Sequence, residues 1–218
     1  APVDAETTSN IWIAGGHRIS PKLPWYRGEV GKPMEAEAQA LLQVMREEVL
    51  TSPVSLTIDV HSGYGVVDRL WFPYAKSKSP FPNIAEAFAI KELLDDTYPN
   101  HIYRVEPQSH QYVTHGDLWD FLYDEHRASH PGRTYIPLSL EMGSWNWVKK
   151  NPRQLFSLFG AFNPLLPHRR ARTLRRHLTL FDFLHRAIIS PKGWAQLDND
   201  SRDSKNQEAQ QFWYGKAA

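Results

Sequence analysis

Val54-Ser55-Leu56-Thr57-Ile58-Asp59-Val60-His61-Ser62-Gly63 is the stretch on which the fold turns. It follows Ser52-Pro53 and is apolar and β-branched, the composition of a buried strand. A Gly-containing loop, Ser62-Gly63-Tyr64-Gly65, comes next, so His61 falls where the strand ends. Ligands of open α/β sheets bind beyond the carboxyl ends of strands, and an imidazole there is placed for chemistry. By residue type alone, a strand-end His is more often a hydrogen-bonded structural residue. Asp59, two residues earlier, shares its strand face.

A second stretch, Tyr135-Ile136-Pro137-Leu138-Ser139-Leu140-Glu141-Met142, is also strand-like and delivers a carboxylate near its end. A Glu among apolar residues is costly to bury unless it is paired or used. A strand-end His and a strand-end Glu over one sheet edge suit hydrolysis, with the carboxylate accepting a proton from water.

The surrounding chain alternates strands and helices. Helical patterns are expected over residues 34–50, 83–97, 116–128, 153–160 and 167–189, and strands over 54–60, 70–75, 101–105 and 134–142. This order predicts an α/β fold with a mixed, mainly parallel sheet flanked by helices. In the first helix Leu41, Val44, Met45 and Val49 form the expected inner face; Leu118, Phe121 and Leu122 do so in the third. Residues 1–190 read as one domain, and residues 191–218 as a polar tail that is mobile or loosely docked, with Phe212-Trp213-Tyr214 as its anchor.

Several segments, in order, resemble the zinc metallocarboxypeptidases of the carboxypeptidase A type. Trp25-Tyr26-Arg27-Gly28 with Pro33-Met34-Glu35-Ala36-Glu37 is similar to the family's Tyr-x-Gly turn and the start of its long helix. Asp59-Val60-His61-Ser62 resembles its second metal-ligand motif, and Leu70-Trp71-Phe72-Pro73-Tyr74 its next strand. Tyr112-Val113-Thr114-His115-Gly116-Asp117-Leu118-Trp119-Asp120 resembles the mobile tyrosine loop and the turn after it. Ser139-Leu140-Glu141 resembles the strand bearing the catalytic Glu. The resemblance implies a carboxypeptidase-like fold and hydrolysis of the C-terminal peptide bond. It gives His61 as a ligand of one Zn2+, Glu141 as general base and Tyr112 as the tyrosine that closes on substrate. Trp119 falls where the family sets side-chain preference. A bulky apolar side chain there would narrow the pocket or stack on substrate.

The family holds zinc with two His and one Glu. None of the ten His here has Glu three residues later, so the family's His-x-x-Glu motif is absent, as is its Asn-Arg motif. The resemblance therefore implies the C-terminal part of a catalytic domain, lacking its first strands, with the missing N-terminal part as a partner. Residues 145–177 depart from the family pattern and read as a helical insertion. A deacylase of the aspartoacylase-like branch and a metal-free binding module are the alternative functions.

Asp68-Arg69 occupies an apparent extra stretch. Arg69 is a candidate fork for a substrate carboxylate, or one half of a surface ion pair. Five Arg lie within residues 169–176, but they continue into an amphipathic helix and read as a solvated face rather than a nucleic-acid site. The formal net charge of +1 argues against steering of the whole chain to nucleic acid or a membrane. Its 41% apolar content supports one sizeable core, and the absence of Cys removes disulfide and thiolate chemistry without choosing a compartment.

Overall fold

A computed structural model describes residues 31, 33–63 and 65–215. The Trp25-Tyr26-Arg27-Gly28 turn lies outside the described residues. Four strands form one sheet: β1 (Val54–Ser62), β2 (Arg69–Phe72), β3 (Arg104–Pro107) and β4 (Thr134–Met142). Their order is β1-β4-β2-β3. β1 is parallel to β4, β2 is parallel to β3, and the two pairs join antiparallel through β2 and β4. The fold is thus α/β with a mixed, mainly parallel sheet, as the alternating pattern requires.

The helices are α1 (Ala36–Val44, extended by a π turn over Met45–Val49), α2 (Ile84–Thr97), α3 (Leu118–Ser129), α4 (Trp145–Lys150), α5 (Pro167–Ile189) and α6 (Asn199–Tyr214). A 3-10 turn, Pro152–Phe156, separates α4 from the loop before α5. This replaces the helix expected over 153–160: Pro152 cannot donate a helical hydrogen bond and starts a new turn. No described helix is long and apolar enough to cross a membrane.

Leu70, Phe72, Ile136, Leu138 and Leu140 of the sheet join one apolar core with Ile84, Ala87, Phe88, Ile90 and Leu94 of α2. In α1 the buried side is Leu42, with Met45 and Leu50 beyond it, while Leu41 and Val44 are exposed. The π turn explains part of this shift, because it changes the angle between successive side chains. In α3, Leu122 and Tyr123 are buried and Phe121 faces solvent. Asp117 caps α3 by accepting from the Trp119 and Asp120 amides at 2.9 Å each.

The tail, expected to be mobile or loosely docked, forms a docked helix. Asp198 caps α6 by accepting from Ser201 N at 2.8 Å. Ala209 and Trp213, four residues apart, are buried on one side of it. Trp213 packs against Phe72 and Phe88, with ring centroids 4.6 and 5.4 Å away, and donates its indole N–H to the Val105 carbonyl at 3.1 Å. Arg202 pairs with the buried Glu86 at 2.9 Å, and Lys205 with Glu92 at 2.7 Å. The anchoring role of Phe212-Trp213-Tyr214 is thus met chiefly by Trp213.

Candidate active site

The register of the sheet sets the site. His61 of β1 lies opposite Glu141 of β4, and Glu141 lies opposite Arg69 of β2. Because β2 runs against β4, the first residue of β2 meets the carboxyl end of β4. Arg69 in turn lies opposite Arg104 of β3, two residue pairs before the Trp71–Glu106 match. Alternation along strands places Asp59, His61, Ser139, Glu141, Arg69 and Trp71 on one sheet face. A line of charge thus crosses three strands at one end of the sheet.

His61 is half-exposed, as befits an edge strand. Its Nε2 lies 2.7 Å from Asp59 Oδ2, and the same carboxylate oxygen accepts from the Trp119 indole at 2.9 Å. The hydrogen bond with Asp59 raises the His61 pKa, with the charges of Asp59, Glu141 and Asp117 adding to it; partial burial opposes. The bond from His61 holds the Asp59 carboxyl low, reinforced by the Trp119 indole against partial burial. The Asp59–His61 contact therefore orients the imidazole and favours the charged form of each partner.

Glu141 is buried on the central strand β4. Two residues on, Gly143 turns the chain beneath the loop that follows β1. A Cβ at Gly143 would fall 2.7 Å from the backbone of Val66 and Val67, so glycine alone fits. The Gly143 amide donates to the buried Asp68 carboxylate at 2.8 Å, and Asp68 also faces Arg176 of α5 at 3.4 Å. Trp145 of α4 donates its backbone N–H to the Gly65 carbonyl and its indole to the Gly63 carbonyl, at 3.1 and 3.2 Å. These bonds tie the loop after His61 to the turn after Glu141.

Arg69 pairs with Glu106. Its Nε donates to Glu106 Oε1 at 3.1 Å, with both side chains about one-tenth exposed, so this is a largely buried pair rather than a surface one. The same Glu106 oxygen lies within reach of the Gln111 amide at 3.0 Å and the Trp71 indole at 3.4 Å. Tyr112 meets the Trp71 ring edge-on at 5.8 Å between centroids. Tyr112 therefore stands on the β2 side of the row, and Trp119 on the β1 side beside Asp59.

All five residues singled out from the sequence thus lie near one sheet end: His61, Glu141 and Arg69 on its strands, Tyr112 in the loop after β3 and Trp119 in the first turn of α3. Glu106 escaped sequence reasoning, because the strand expected over 101–105 stopped one residue short of it. Its signal was a carboxylate between Val105 and Pro107, in a strand.

A zinc cage needs three or four convergent donors. Among the described residues no group of three or more His, Cys, Asp or Glu is disposed to hold a metal. His61 supplies one imidazole, and its Nε2 faces Asp59. These residues by themselves do not fit a zinc ion. No family model, curated protein or solved structure matches the chain.

Proposed function

We propose that this chain forms the carboxyl-terminal part of the active site of a zinc carboxypeptidase-type hydrolase, which removes the C-terminal residue of a peptide. The observation that carries the reading is the His61–Glu141–Arg69 register across β1, β4 and β2. It juxtaposes an imidazole, a buried carboxylate and a guanidinium, which are a metal donor, a general base and an anion-binding group.

In this reading Glu141 accepts a proton from the attacking water. It returns that proton to the peptide nitrogen as the C–N bond breaks, giving a free amino acid and a shortened peptide. Asp59 orients His61, and Trp119 holds Asp59 in place. Arg69 is the candidate fork for the terminal carboxylate of the substrate, and Tyr112 the tyrosine that closes over it. The family that the sequence resembles takes its other metal donors from a His-x-x-Glu pair, which the 218 residues do not contain.

Two measurements test the proposal. On the 218-residue chain alone, zinc should bind weakly, since one imidazole makes no tight site. Submicromolar zinc binding that His61→Ala abolishes would show that the described residues complete the cage themselves. On the intact gene product, release of free amino acid from peptides supports the carboxypeptidase reading. Zinc with cleavage of N-acyl amino acids only would move the assignment to the deacylase branch, and absence of zinc to a metal-free binding module.

A further inference from the structure

Between Met142 and Phe181 the chain carries eight Lys or Arg and no Asp or Glu. The rest of the chain then holds 17 basic and 24 acidic residues, so the near-zero total conceals a strongly basic segment. Lys149, Lys150, Arg153, Arg170, Arg172, Arg175 and Arg176 are exposed. Of the eight cations, only Arg176 has a carboxylate partner among the described residues, in Asp68.

At the centre of this segment is an apolar tip. Leu155, Phe156, Leu158 and Phe159 are 49, 94, 84 and 60% exposed, and Phe162 is 48% exposed. The tip is held in shape. Buried Gln154 donates its side-chain amide to the Gly160 carbonyl at 2.6 Å and accepts from Ser157 N at 3.0 Å through its own carbonyl. A Cβ at Gly160 would fall 1.6 Å from the Gln154 carbonyl oxygen, so the turn closes only with glycine. Phe162 rests on Gly63 and shares a groove with Trp147, Arg170 and Leu174, which brings the tip and the basic helix α5 to one side of the molecule.

We propose that this side is a docking surface for an anionic lipid bilayer, with the Leu155–Phe162 tip entering the interface and the flanking cations meeting the headgroups. Charge complementarity names the partner: a polybasic segment alone, or a few apolar side chains alone, holds a protein weakly, and the two together hold it. The shape narrows it further. A side chain as exposed as Phe156 has no walls around it, so it does not form a groove for a peptide. Contacts to nucleic-acid phosphates would use the cations and leave the aliphatic Leu155 and Leu158 in water. The surface is distinct from the His61–Glu141 row, since the shared groove is lined by Val60, Leu140 and Met142, which point to the opposite face of the sheet.

The test is flotation of the full chain with vesicles of phosphatidylcholine alone and of phosphatidylcholine mixed equally with phosphatidylglycerol. Binding should be at least about tenfold tighter to the anionic vesicles and should weaken as salt rises. The combined variant Phe156→Ser, Leu158→Ser and Phe159→Ser should lose about tenfold, and Lys149→Gln, Lys150→Gln, Arg153→Gln and Arg172→Gln together should lose at least as much. All these side chains are exposed, so unchanged thermal melts will show that both variants remain folded. Equal binding to both vesicle types, no binding to either, self-association through the tip, or binding to duplex DNA that matches or exceeds vesicle binding would each overturn the proposal.

Discussion

The two edges of the sheet are finished differently. Along β3 the chain closes its own edge: α6 lies beside α2, and the Trp213 indole caps the Val105 carbonyl while its ring fills the space between Phe72 and Phe88. Along β1 no further strand pairs among the described residues, and Val60 is 47% exposed. Beside it α5 turns Leu174, Leu178 and Phe181 toward a groove of about 410 Å³ rather than into the core. An open edge with exposed apolar neighbours is a surface for pairing or docking. The closed edge thus carries stability, and the open edge, with His61 at its end, borders the proposed site.

The comparison can be broken most directly at Trp213. Trp213→Ala removes a buried indole and leaves the Val105 carbonyl without its donor, so a loss of about 3–5 kcal/mol is expected in chemical denaturation. A loss below about 1 kcal/mol would mean that α6 does not seal the β3 edge. Helix α5 offers the same contrast within one element. Leu180→Ala, at a fully buried position, should cost about 2–5 kcal/mol, whereas Leu178→Ser, at a position 62% exposed, should stay within about 0.5 kcal/mol of wild type. Similar losses at both would show that the groove face is packed.

A pH effect sharpens the picture between the edges. Asp120 of α3 accepts from the backbone amides of Ala75 and Lys76, joining α3 to the turn after β2. Burial, aided by the charge of Asp117, pushes its pKa up to about 6. The folded state therefore holds this proton more tightly than the unfolded chain, whose Asp titrates near 3.9. Unfolding releases the proton between those values, so this group's contribution falls as pH rises from about 4 to about 6, by about 3 kcal/mol. Stability measured across that range, with Asp120→Asn subtracted, should show the slope. A difference that does not vary with pH would remove Asp120 as its source.

How much of this was legible in the sequence depended on which contacts decide each element. β4 could be read to the residue, because a mostly apolar, strand-like run is bounded by Pro131-Gly132 and Gly143. α2 was placed to within a residue at its start, although Asn83 makes no side-chain cap and instead accepts from the Tyr123 hydroxyl at 2.7 Å. α6 was missed because only Ala209 and Trp213 of its 16 residues are buried, too sparse a stripe for periodicity to reveal. In α5 two apolar stripes run along the helix. Spacing alone could not say that Leu180, Phe183, Leu184 and Ala187 are covered while Leu174 and Leu178 are not. At the site, His61 and Glu141 stood out as strand-end polar residues. That Arg69 would join them depended on the antiparallel β2–β4 pairing, which is set by tertiary packing and by no local signal.

The central claim is that the His61–Glu141–Arg69 row works as part of a zinc peptidase site. Its most direct test is metal content and C-terminal peptide hydrolysis of the intact gene product, beside its Glu141→Gln variant. The expected result is one zinc per chain in both proteins, with hydrolysis in the wild type lost by a factor of at least about 100 in the variant. Absence of zinc, or a Glu141→Gln variant that cleaves peptides as fast as the wild type, would contradict it.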